Sequence, residues 1–208
     1  MTDNTKIIII ADDFFYLKGV ASYFKVNSIF EVIEIHVDND ESSFPCEALN
    51  FYSPHNSIIL LAVEDFTKIK LIPDLNLRAV ICSIRCPQES PRPFLFNGVL
   101  FLNRDIKARF LLIAIQNFIN GHISRDMKFS PSELKLILNY FSANQKLAIQ
   151  TLLNFSDKKL SYYKRSVYAK VMTNSDSGAY PIFKAIGNVY DAVNACRLAS
   201  ADFIFHAA

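Results

Sequence analysis

Tryptophan is absent from the 208 residues, and glycine is scarce, with only 5. No glycine-rich loop is available to cradle a phosphate. No apolar run approaches the roughly 20 residues that cross a bilayer. The opening "MTDNTK" is polar and passes straight into a strand, so it does not read as a signal peptide. The four histidines, His36, His55, His122 and His206, share no triad or metal-ligand spacing. Cys46, Cys82, Cys86 and Cys196 are scattered. Cys82 and Cys86 are four apart, but Cys82 lies in an apolar run, and buried free thiols are the plain reading. A reducing, bacterial-type cytoplasm is the expected compartment. These absences point away from an enzyme, and no metal or cofactor is expected.

What is present is a folding chain: 51% of residues are apolar and 20% are charged, outside the range of disordered sequences. The length suits one large domain or two small ones. The overall charge of +2 is unevenly spread. Residues 1–128 carry 13 Lys/Arg against 15 Asp/Glu, and residues 129–208 carry 9 against 5. Between Lys135 and Lys170 the only acid is Asp157, among seven basic residues. Such a local positive field attracts phosphates.

The first 120 or so residues alternate between strand-like and helix-like stretches. "KIIIIA" (6–11), "FEVIEIHV" (30–37), "NSIILLAV" (56–63), "RAVICSI" (78–84) and "GVLFL" (98–102) read as strands. "FFYLKGVASYFKV" follows the first with Leu17, Val20, Ala21 and Phe24 at helical spacing. "DIKARFLLIAIQNFING" (105–121) has Ile106, Phe110, Ile113 and Asn117 on one stripe, with Gly121 as a helix stop. Strand–helix alternation predicts a parallel sheet covered on both faces. Five strands predict a flavodoxin-like doubly wound (βα)5 domain over residues 1–123, with its site at the strands' carboxyl ends.

Asp12 and Asp13 stand at one such end. "IIIADDFFYLKGV" resembles the opening of response-regulator receiver domains. In that family a strand ends in two acids that help to hold magnesium, and a glycine follows where Gly19 stands. The resemblance implies a phosphoacceptor aspartate after the third strand, a Ser or Thr after the fourth and a lysine after the fifth. Here the acceptor position falls on Ala62 or Val63, which cannot take a phosphoryl group. Glu64 and Asp65 lie further along, displaced at about 3.3 Å per residue. Ser83 keeps the hydroxyl. Phe101 or Leu102 stands where the lysine belongs. Two carboxylates without a third ligand hold magnesium weakly at best. The expectation is a pseudo-receiver in which Asp12 and Asp13 are solvated remnants.

The character changes in "SRDMKFSPSEL" (124–134). Ser130 or Ser132 can cap a helix, Pro131 fits its first turn, and Glu133 lies in that turn. Leu134, Ile137, Leu138 and Phe141 are expected to face inward. "QKLAIQTLLN" (145–154) reads as a second helix, and Ser156 caps a third, "DKKLSYYKRSVYAKVM". Its inner stripe is Leu160, Tyr163, Val167 and Val171. Lys158, Ser161, Tyr162 and Arg165 share another face by the 3.6-residue period. A short helix, a tight turn and a basic helix make a helix-turn-helix, whose second member enters the major groove. Lys158, Lys159 and Lys164 read as phosphate binders, Arg165 as a candidate guanine reader, and Tyr163 and Tyr168 as packing residues.

"FSPSE", "AIQTLLN" and "SDKKLSYYKRSVYAKV", in this order and spacing, resemble the LuxR/FixJ-type DNA-binding domain. They are nearest to its Rcs-type capsule-regulator branch. That implies a four-helix DNA-binding domain over 124–208, here with an apolar C-terminal extension. It also implies a fourth helix that forms the DNA-bound dimer, where Ile182, Phe183 and Ile186 could serve. Ala143, Gln150 and Met172 depart from the family's usual glycine, small residue and glycine. The expected function is a DNA-binding transcription regulator that acts independently of phosphorylation. Its partners are promoter DNA and a second copy or a related response regulator. The alternative is an interaction protein that modulates a related regulator without binding DNA strongly itself.

Overall fold

The computed structural model describes residues 5–38, 49, 56–65, 79–84, 93–123, 126–140, 150–151 and 153–205, with backbone alone at 79–83 and 195–205. The strands are β1 (Lys6–Ala11), β2 (Glu31–His36), β3 (Ser57–Ala62), β4 (Ala79–Ile84), β5 (Phe94–Phe96) and β6 (Val99–Asn103). The helices are α1 (Phe14–Asn27), α2 (Ala108–Ile119), α3 (Pro131–Asn139), α4 (Asp157–Val171) and α5 (Asp176–Phe205).

One sheet of six strands runs in the order β2-β1-β3-β4-β6-β5. All neighbouring pairs are parallel except β5 with β6. This α/β architecture carries one strand more than the five expected. β5 joins β6 through Asn97 and Gly98, at φ 50° and 77°. That Asn-Gly pair is the residue choice for a two-residue hairpin with both central residues left-handed.

Period-two alternation in β1 sends Ile7 and Ile9 to one face and Ile8 and Ile10 to the other, all fully buried. The first face packs on α1 through Leu17, Val20, Ala21 and Phe24, as the spacing predicts. It packs on α2 through Leu111, Leu112, Ala114 and Ile115. The other stripe of α2 turns outward: Phe110 and Ile113 are exposed and, with Ile106 and Asn117, line an open groove. The helix has two apolar stripes, and the denser leucine-rich one takes the sheet.

Ile8, Ile10, Ile59, Leu61 and Phe101 belong to a core that also holds Leu136, Ile137, Val167, Ile182, Phe183 and Ile186 from the C-terminal helices. Apolar packing therefore continues across the sequence boundary at 123/124. Phe96 meets Phe129 at 5.6 Å, and the Met127 N–H donates to the Leu95 carbonyl at 2.7 Å. Ile182, Phe183 and Ile186 are at most 1% exposed within this one chain, so they are core residues here rather than a free dimer face. Pro181 lies inside α5. In α3 the buried residues are Glu133, Leu136 and Ile137, while Leu134 is only partly buried. The expectations for Phe141, Ala143 and the start of the second helix fall outside the described residues. Among the described residues no helix is long and apolar enough to cross a membrane.

Candidate functional sites: a strand-end acid pocket and a basic helix

The chain's path reverses between β1 and β3, and a ligand crevice forms in such sheets where the strand order reverses. Asp12 and Asp13 follow β1 at this point, yet neither is a solvated remnant. Asp13 is the N-cap of α1, its carboxylate accepting from the Tyr16 N–H at 3.0 Å. Asp12 is ion-paired: Oδ1 accepts from the Arg104 guanidinium at 2.8 Å, and Oδ2 accepts from the Glu64 N–H at 2.5 Å. Arg104 is 3% exposed. Its guanidinium lies over the Tyr16 ring at 4.9 Å.

A cation is therefore present in the pocket, in the turn after β6 rather than on the strand. Leu102 and Phe101 lie side by side on β6, and their side chains leave to opposite faces. Ala62 and Val63 are fully buried apolar wall. Asp65 is 3.8 Å from Lys184 of α5. The Ser83 backbone pairs with Leu102, and its side chain lies outside the described atoms. The one local signal for Arg104 is an arginine directly after a buried strand; that it meets Asp12, across β3 and β4, leaves no mark in the sequence.

The second site is built on α4. Ser156 caps it, accepting from the Lys159 N–H. Leu160, Val167 and Val171 are buried against α3 and α5, and Tyr163 packs on Phe155 at 5.2 Å. Burying each of these aliphatic side chains stabilises by roughly 1.5–3 kcal/mol, which fixes which side of the helix faces out. Lys158, Lys159, Ser161, Tyr162 and Arg165 are all exposed, Tyr162 at 63%. Lys158 has no ion pair among the described residues. Lys159 leans over the Phe155 ring at 4.9 Å. Arg165 Nε donates to the Ser161 carbonyl, which points its stem along the helix.

Lys164 is not on this face. It pairs with Asp176 at the start of α5 at 2.8 Å and lies over the Tyr140 and Tyr168 rings at 5.5 and 5.6 Å. Burial alone lowers a lysine's pKa, but the Asp176 carboxylate outweighs it, and the ammonium is held above its ordinary range. Tyr168 donates to Asp176 and meets the Tyr140 hydroxyl at 3.3 Å. Burial, followed by that bond, raises the Tyr168 hydroxyl pKa. The reading of Lys164 as a phosphate binder is corrected: helical period places it a quarter-turn towards α5, where an acid waits.

Two side chains hold α4 in place from outside it. The Gln150 side chain donates to Asp157 at 2.8 Å. Glu133 closes a capping box with Ser130 and also accepts from Ser166 at 2.6 Å and Lys170 at 2.6 Å. Burial pushes its carboxyl up, but the bonds from Lys170, Ser166 and Ser130 prevail and bring its pKa to about 2. The sequence marks Glu133 as a first-turn acid; its role as a buried hub needs three contacts from two helices.

No family model and no curated protein matches the chain. In structure it is similar to response regulators. RcsB from Salmonella enterica serovar Typhimurium bound to promoter rprA shares 18% identity, over 88% of this chain and 99% of that one, at a TM-score of 0.41. An RcsB–DNA complex shares 13%, over 90% and 98%, at 0.43. Full-length FixJ from B. japonicum shares 13%, over 92% and 98%, at 0.38. At these identities and scores the function is read from the chain's own residues.

Proposed function

We propose that the chain is a cytoplasmic, DNA-binding transcription regulator with two parts. Residues 1–123 are a pseudo-receiver that self-associates or pairs with a related response regulator, and residues 124–208 are a LuxR-type helix-turn-helix domain with α4 as its recognition helix. The observation that carries this is the exposed face of Lys158, Lys159, Ser161, Tyr162 and Arg165 on a helix whose opposite face is anchored. Cations on such a face neutralise backbone phosphates, and Arg165 offers a planar fork to a base edge. Regulation is independent of phosphorylation, because Ala62 and Val63 offer no acceptor atom.

The deciding experiment is a mobility-shift titration of the full chain on promoter and scrambled duplexes at several salt concentrations. Affinity falling linearly with log salt, with a preference for particular duplexes, is expected. Acetyl phosphate with magnesium should leave the mass unchanged. A second reading, an interaction protein that pairs with a regulator and binds DNA weakly, draws support from Lys164 being tied to Asp176. Absence of any salt-dependent shift, with retained pairing to a partner regulator, selects it.

A further inference from the structure

Asp12 gathers four strand ends. It follows β1, its N–H donates to the Ala62 carbonyl of β3 at 3.4 Å, and its Oδ2 holds the Glu64 N–H just beyond β3. Its Oδ1 holds Arg104, beyond β6, and the Arg104 N–H donates to the Ile84 carbonyl of β4 at 2.7 Å. Magnesium needs near-octahedral oxygen ligands at about 2.0–2.1 Å. At Asp12 it would compete for oxygens already engaged and would sit at contact distance from a buried guanidinium, where like charges repel strongly. Asp13 is committed to the α1 cap. The residues present do not fit a divalent metal.

We infer that Arg104 is a built-in cation standing in for a divalent metal: it neutralises Asp12 from within, ties the ends of β1, β3, β4 and β6 into one arrangement, and closes the acid pair to magnesium. A bound metal can be withdrawn by a chelator, whereas this cation is covalently part of the chain. The sheet edge therefore has no ion-free state to switch into. This deepens the pseudo-receiver reading and rests on it, but it does not depend on DNA binding.

The test uses the full chain, with free Mn²⁺ followed by paramagnetic resonance and Tm by calorimetry. Wild type should show no saturable Mn²⁺ binding in the millimolar range and no metal-dependent Tm. Arg104→Met should lower Tm by roughly 6–12 °C, gain Mn²⁺ binding, and recover part of the lost Tm when the ion is added. Asp12→Asn should lower Tm too, and the double variant should lose less than the sum of the two and bind no Mn²⁺. Arg104→Lys, which keeps a cation, should remain blind to the metal and serves if Arg104→Met does not fold. Saturable Mn²⁺ binding by wild type that Asp12→Asn abolishes overturns the inference. Additive Tm losses in the double variant overturn it as well. Neither readout involves DNA, so failure here leaves the DNA-binding reading standing, and the reverse holds.

Discussion

Asp12 and Lys158 are both charged, and each stands close to an apolar element, yet the chain treats them in opposite ways. Asp12 is drawn into a pair with a buried arginine, both of its oxygens engaged. Lys158 stands on an exposed face and keeps its stem's rotamer freedom. The difference lies in what the neighbouring elements offer. At the sheet edge four strand ends converge, so a charge placed there meets donors and a countercharge. On α4 the packing side is used up by Leu160, Val167 and Val171, the flanks meet Glu133 and Asp176 through Ser166, Lys170 and Lys164, and the outward positions around Lys158 have only solvent or a partner to meet. Lys164 is the boundary case, a few residues along the same helix yet internally paired. Position on the helix, rather than residue type, separates a structural lysine from one that is free for phosphate.

The largest expected effect comes from breaking the inward-facing kind of charge. Glu133→Gln should cost about 3 kcal/mol at pH 7, the value of a carboxyl pKa lowered from 4.5 to about 2. Because Lys170 is 34% exposed, this is the low end for breaking a buried pair. The folded-state pKa lies below the unfolded one, so the contribution is complete above about 4.5 and is lost as pH falls towards 2. Denaturant unfolding of wild type and variant from pH 7 to 2.5 should show two curves that converge in acid. A gap independent of pH would mean that the carboxylate's charge is not what holds α3 to α4.

Next is the outward-facing kind. Arg165→Ala should cost roughly 1–3 kcal/mol on one duplex and flatten the preference at a single base pair, read by titration against a panel of point-mutated duplexes. Equal losses on every duplex would reassign Arg165 to the backbone. A smaller effect sharpens the comparison most. Lys158→Ala should reduce the slope of log affinity against log salt by about one counterion, while Lys164→Ala should leave the slope unchanged and lower thermal stability instead. Equal slopes lost from both would put Lys164 back on the DNA face.

The smallest effect lies at the end of α4. Met172 is its left-handed cap at φ 60° and is 46% exposed, with the Thr173 N–H bonded to the Tyr168 carbonyl. A side chain pays for that conformation and glycine does not. Met172→Gly should stabilise by about 1 kcal/mol or somewhat less, with DNA affinity unchanged.

Much of the scaffold was legible from the sequence because its signals are local. Four isoleucines made β1, the spacing of Leu17, Val20, Ala21 and Phe24 made α1, and Ser130, Pro131 and Ser156 marked helix starts. The exposed face of α4 followed from period alone. What escaped depends on partners distant in sequence: Arg104 is 92 residues from Asp12, and Ser166 and Lys170 are 33 and 37 residues from Glu133. No pattern along the chain records that such groups meet. The outward turn of Phe110 and Ile113 escaped for another reason, since α2 carries two apolar stripes and only packing chooses between them. β5 is different again: Asn97 and Gly98 are a local hairpin signal that was there to be read.

That hairpin has a consequence for assembly. β5 covers the outer edge of β6, and β5's own rim is taken in turn by the connecting segment, with Leu95 bridged to Asp126 and holding the Met127 N–H. A bare strand margin is a template on which another polypeptide can zip by main-chain bonds, whatever its side chains. On this flank the chain has spent that template on itself, so a companion molecule arriving here must be chosen by side-chain shape and charge rather than by strand addition.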